Sequence, residues 1–187
     1  MTKVVADMSV SLDGFVADSA DRVDMVFAWY GKPQPEHSPR EPNGEAEAMG
    51  LGVIVYGRRT FDLARGWDGR HPTGVPVVVV THQVPAGWPR PNSTVIFATD
   101  GIEAAMDQAR QIAGDKVIAL GSPSVIQQCV ALGLVDRIQV KVVPVLLGDG
   151  IRLFDTLRVG PIQLADPEVT MGNGVTHLYY DIVPGDR

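Results

Sequence analysis

At 187 residues, 45% hydrophobic and 20% charged, the chain has the make-up of a globular protein with one sizeable core, and a single domain over 1–187 is expected. A formal charge of −6 with no basic run counts against nonspecific nucleic-acid binding. No apolar run approaches membrane-spanning length, and Lys3 leads into a strand-like run holding Asp7 rather than into a leader, so a cytoplasmic protein acting on a small molecule is expected.

Taken in order, residues 3–10 read as a first strand, apolar at Val4, Val5, Ala6, Met8 and Val10. Leu12-Asp13-Gly14 is a turn signal, and 25–30 suits a short helix carrying Phe27, Trp29 and Tyr30. Four prolines fall within 31–44, which excludes a helix or central strand there and marks a surface insertion. A brief helix over 45–49 leads to a buried strand at 53–56 that ends on Gly57. Arg58, Arg59 and Thr60 then open a helix. Two guanidinium forks beside a helix N-terminus suit a phosphate, and two solvated surface charges are the alternative.

Val77 to Val80 form an all-valine run of the kind covered on both faces of an α/β sheet. Thr81 and His82 stand at its C-terminal end, where ligands of open parallel sheets bind. A short strand over 95–97 follows. Asp100 with Glu103 has the spacing of a capping box for a helix whose apolar face is Ile102, Ala105, Met106, Ala109 and Ile112.

The stretch 117–154 organises the rest. A four-residue apolar strand is broken by Gly121, Ser122 is placed to cap a helix, and Pro123 fits its first position. Val125, Ile126, Cys129 and Val130 recur at helical spacing, Gly133 closes the helix, and a strand spans 138–143. Strand–helix–strand units of this length join parallel strands by a right-handed crossover. The glycine turn Gly121-Ser122-Pro123-Ser124 presents backbone N–H groups and a positive dipole end, the physical requirements for holding a phosphate. Beyond it, 162–164, 169–171 and 175–183 are strand-like, with Gly172-Asn173-Gly174 as the turn of a hairpin.

Three motifs in this order, MSVSLDGFVA near the N-terminus, VIVYGRRTF in the middle and GLVD followed by PVLLGDGIRLF, resemble the dihydrofolate reductase-like family over nearly the whole chain. The match is closest to the branch containing the reductase domain of riboflavin biosynthesis. The resemblance implies an α/β fold of three layers, α/β/α, with a mostly parallel central sheet and an antiparallel C-terminal hairpin. It implies an NADPH-dependent oxidoreductase, either 5-amino-6-(5-phosphoribosylamino)uracil reductase-like or dihydrofolate reductase-like, that transfers hydride to a small, possibly heterocyclic, substrate. On that resemblance Gly57, Arg58, Arg59, Thr60, Thr81, His82, Gly121, Ser122, Pro123 and Ser124 are cofactor-binding, Asp13 is the candidate for substrate orientation or proton relay, and a homodimer is plausible. A non-catalytic nucleotide-binding or scaffold protein retaining the fold is the alternative. One departure stands out: Ser122-Pro123 replace glycines that many members carry after Gly121. Asp24 is the counterpart for the acid that dihydrofolate reductases place on their first helix.

No metal site is expected, because His37, His71, His82 and His177 share no ligand spacing with one another or with the single cysteine. Cys129 falls on the inward helix face and reads as a buried, inert thiol. The Gly-x-Gly-x-x-Gly fingerprint is missing, so any nicotinamide site is not of the common Rossmann type.

Overall fold

The structure is a computed structural model that describes residues 2–30, 49–155, 157, 159–172 and 174–183. The insertion expected at 31–44 and nearly all of the helix expected at 45–49 lie outside these residues, as does the Asn173 position of the hairpin turn.

Among the described residues eight strands form one sheet. In chain order the strands are β1 (Val4–Ser11), β2 (Phe15–Ala17), β3 (Leu51–Gly57), β4 (Val77–Val80), β5 (Val95–Ala98), β6 (Val117–Leu120), β7 (Arg137–Val143), β8 (Ile151–Arg152), β9 (Glu168–Gly172) and β10 (Val175–Asp181). The helices are α1 (Asp24–Phe27), α2 (Arg58–Leu63), α3 (Ile102–Ala113) and α4 (Pro123–Ala131), with a 3-10 turn over Arg65–Gly69. The sheet runs β5-β4-β3-β6-β1-β7-β10-β9, with β2 and β8 paired separately. Strands β5 to β7 pair in parallel, and β10 runs antiparallel to both β7 and β9. This is the expected dihydrofolate reductase-like α/β architecture with its antiparallel C-terminal hairpin. The crossover from β6 through α4 to β7 leaves those strands parallel but not adjacent, because β1 lies between them.

Alternation divides the sheet into two faces. On one, Val4, Ala6, Val53, Val55, Val78, Ile118 and Leu120 pack against Met106 and Ala109 of α3 and against Ile126 and Cys129 of α4. Val77, Val78 and Val79 have no exposed surface, as a run of β-branched residues in a doubly covered strand should. The other face carries smaller, separate apolar clusters. Phe61 of α2, with Trp67 and Trp88, packs over Val77 and Val79 of β4 and Val95 and Phe97 of β5. Val26 and Trp29, in and beyond α1, cover Val143 and Val175. Among the described residues, Leu51, Ile54 and Ala119 form a third cluster on β3 and β6, and beside it a groove runs over β3, β6 and β1.

Two expected caps differ in detail. Gly101, at φ 93°, is the N-cap of α3, and no side chain caps it, so Asp100 and Glu103 form no capping box. Ser122 is the N-cap of α4 by backbone position, yet its hydroxyl makes no cap bond. It turns instead to the end of β3. Gly133, at φ 65°, closes α4 as expected, with Leu134 N–H donating to Cys129 O and Gly133 N–H to Val130 O. The strand-like segment 162–164 contributes a single bridge, Leu164 to Ile182. Among the described residues, no helix is long and apolar enough to cross a membrane.

Candidate active-site groove

Strands β3 and β6 end at the groove and their terminal residues build it, with Asp7, Met8 and Ser9 of β1 alongside. The β3 end is Tyr56-Gly57, which runs directly into α2 through Arg58, Arg59 and Thr60. The β6 end is Gly121, followed by Ser122-Pro123-Ser124 at the start of α4. Ser122 Oγ joins the two turns: it accepts the Gly57 N–H at 2.9 Å and lies 2.7 Å from Thr60 Oγ1. That acceptor is needed because Gly57 N is buried, and an unpaired buried N–H is costly.

Three connected cavities follow the groove. One of 480 Å³ lies between the two turns and α1, with Gly57, Thr60, Gly121 and Ser122 on one side and Phe27 and Val16 on the other. One of 600 Å³ continues past Arg58, Thr81, His82, Ser124 and Gln128. A third, of 360 Å³, runs deeper along the sheet past Asp7, Tyr30, His71 and Lys141. Tyr56 and Gly121 line both the first and the third. The Tyr56 ring lies where a Cβ on residue 121 would stand, so only glycine allows this contact.

All ten residues expected to bind cofactor line the first two of these cavities, with Thr81 and His82 in the second. The side chains of Arg58, Arg59 and Thr81 already have partners. Arg58 Nε is 2.9 Å from both Asp62 oxygens, and its Nη1 donates to Gln83 O at 3.2 Å. Arg59 is bonded to Asp21, in the turn before α1. Thr81 Oγ1 donates to Gln83 O at 2.9 Å.

Asp13, the candidate for substrate orientation or proton relay, stands outside these three cavities. Its carboxylate accepts from Ser11 Oγ at 2.6 Å, Gly148 N at 2.7 Å and Leu147 N at 3.2 Å, clipping the β1–β2 turn to the loop before β8. The Ser11 hydroxyl and those N–H groups hold its pKa down at about 2. Asp13 lines none of the three cavities. Asp24 does not line them either, although the helix it opens supplies Phe27.

The groove has polar groups that the sequence reading did not single out. Lys141 of β7, 1% exposed, donates to both oxygens of Asp7 of β1 at 2.6 and 2.7 Å. Tyr56 is half-buried, and its hydroxyl lies 3.3 Å from His71 Nε2. Thr73 Oγ1 is 2.7 Å from His71 Nδ1, and Thr73 N–H donates to the same nitrogen at 3.3 Å. Burial lowers the His71 pKa to about 4, so the imidazole is neutral at ordinary pH. Burial is also the largest influence raising the Tyr56 pKa, which keeps it a phenol. Trp67 stacks on Tyr56 with ring centroids 4.9 Å apart. It is held there by a turn in which Arg65, Gly66, Trp67 and Asp68 all have positive φ. Gly66 is needed in that turn, since a Cβ there would come within 2.5 Å of Trp88 Cζ2.

Cys129 is buried as expected, and burial pushes its thiol up to about 12. Among the described residues, no group of three His, Cys, Asp or Glu side chains is placed to hold a metal ion.

The chain matches the model of the family described as RibD C-terminal domain over residues 2–175. It is 24% identical over 192 residues to the uncharacterized protein YyaP of Bacillus subtilis, covering 95% of this chain and 94% of that protein. Among solved structures, a putative riboflavin biosynthesis protein from Shewanella sp. PV-4 superposes with a TM-score of 0.73 at 22% identity, covering 98% of this chain and all of that one. The riboflavin biosynthesis reductase Rib7 of Saccharomyces cerevisiae superposes with a TM-score of 0.64 at 12% identity, covering 97% of this chain and 90% of that one.

Proposed function

Because the chain belongs to the RibD C-terminal domain family, we propose that it is an NADPH-dependent reductase that transfers hydride to a small planar substrate in the groove beside Tyr56. The observation that carries this reading is the pairing of two glycine turns at the ends of parallel strands, Gly57 and Gly121, on one continuous groove.

The residues present suit a dinucleotide. Side-chain-free backbone at Gly57 and Gly121 permits close approach, and α4 directs its N-terminal N–H groups and dipole at the groove. Arg58 and Arg59 supply charge for phosphate by exchanging carboxylate partners, Asp62 and Asp21, for a phosphate. Thr81 and His82 stand at the far end, where the 600 Å³ cavity has room for the adenosine portion. Bound NADPH would supply the hydride. The protein's part is to orient the two reactants and exclude water, which is why no catalytic triad is needed. The substrate then occupies the apolar space bounded by Phe27, Tyr30 and Trp67, above the polar floor of Asp7 and Lys141.

Trp67 makes the test direct. Addition of NADPH should quench tryptophan fluorescence saturably, with energy transfer to the dihydronicotinamide, and Trp67→Phe should remove most of that signal. Unchanged fluorescence together with unchanged thermal stability at saturating NADPH would defeat the reading.

A further inference from the structure

Tyr56 is the group whose position invites a chemical role, since it touches the Gly121 turn and opens on both the outer and the deeper cavity. Its hydrogen-bond partners bear on where its proton points. His71 Nδ1 has Thr73 Oγ1 at 2.7 Å and Thr73 N at 3.3 Å; with Nδ1 accepting from Thr73, the ring proton sits on Nε2. Nε2–H then donates to Tyr56 Oη, 3.3 Å away. With its acceptor capacity engaged by the imidazole, the Tyr56 hydroxyl has its own proton to give, and the enclosed side toward the cavity is where a ligand would meet it.

We propose that Tyr56 is the proton donor of the reduction, and that the substrate is a planar carbonyl or imine compound whose heteroatom accepts the Tyr56 hydroxyl. This rests on the reductase reading above. The substrate's C=O or C=N carbon gains a C–H bond from the cofactor's hydride, the π pair moves to oxygen or nitrogen, and that atom takes the proton from Tyr56 Oη. Substrate is reduced and cofactor oxidised, with one hydride and one proton consumed. The phenolate recovers its proton from His71 Nε2 as Nδ1 takes one through the Thr73 hydroxyl, so the imidazole changes tautomer without leaving the neutral state. The nearby Lys141 ammonium favours the phenolate, whereas burial and the Asp7 carboxylate favour the phenol that donates. Transfer to a developing alkoxide or amide anion remains downhill, because those are stronger bases than a phenolate.

Two experiments decide the matter. Nitrogen-detected NMR of ring-labelled histidine, assigned with His71→Gln, should show His71 as the neutral Nε2–H tautomer at pH 7. The Nδ1–H tautomer or an imidazolium would overturn the proposal, since the Tyr56 proton would then be committed to His71 or the ring charged. The second compares Tyr56→Phe with the wild type in NADPH binding and in reduction of planar carbonyl and imine probes, headed by pyridine-4-carbaldehyde. The variant should bind NADPH within about twofold of the wild type and lose about 100-fold or more in kcat. Retained kcat with intact NADPH binding would remove Tyr56 as donor and leave the reductase reading standing. Failure of the wild type itself to bind NADPH would instead remove the reductase reading, and the proposal with it.

Discussion

Ser122 Oγ holds the Gly57 N–H at 2.9 Å, tying together two turns 65 residues apart in the chain. A serine suited to capping its own helix has given that bond up to satisfy the buried donor of a neighbouring strand. The α4 N–H groups are thereby left for another acceptor, which is what an anion site at a helix start requires. Ser122→Ala should cost about 1–3 kcal/mol by stranding the Gly57 N–H, and Ser122→Thr, which keeps the hydroxyl, should cost less. Urea unfolding of the two variants checks both the size and the order.

The Lys141–Asp7 pair should show the asymmetry of buried ions. Lys141→Met leaves the Asp7 carboxylate without its main counter-ion, and a loss of about 3–5 kcal/mol is expected. Asp7→Leu combined with Lys141→Met should recover much of that loss, because both desolvation costs disappear together. A double-mutant cycle in urea measures the coupling.

His71 sets a pH window for stability. Its folded pKa of about 4 lies below the ordinary 6.5, so between those values the unfolded chain binds more protons than the folded one. Stability from this group is complete above about pH 6.5 and falls as pH drops toward 4, by on the order of 2 kcal/mol given partial exposure. Asp13 and Asp181, both held near 2, act only at lower pH, as their carboxylates protonate below the ordinary 3.8. Denaturation curves at pH 7 and 4.5 should differ for the wild type and converge for His71→Gln.

Much of the fold was legible because local rules agreed with the global answer. The valine run Val77 to Val80, the α4 periodicity and its Gly133 stop each carry their signal within a few residues. The two glycine turns were legible for the same reason, since both are short motifs at strand ends. The floor of the groove was not. Asp7 sits in an apolar strand and Lys141 in an alternating one, a pattern that reads as a solvated face. Only the pairing of β1 with β7, which sets Asp7 and Lys141 on the same face of adjacent strands, turns two distant charges into an ion pair whose ammonium is buried. Tyr56 and His71 were hidden likewise, because their contact depends on the turn of positive-φ residues around Trp67. The partners of Asp13 were not legible either. A turn carboxylate has backbone N–H groups within reach, and here it uses those of Leu147 and Gly148.

The most direct test of the central claim is a calorimetric titration of the wild type with NADPH, repeated with NADH and with an Arg58→Ala, Arg59→Ala double variant. The account predicts saturable binding of one NADPH per chain, weakened about tenfold or more in the double variant by loss of charge-assisted bonds to phosphate. Absence of binding by a folded wild-type protein, or binding indifferent to loss of both arginines, would contradict it.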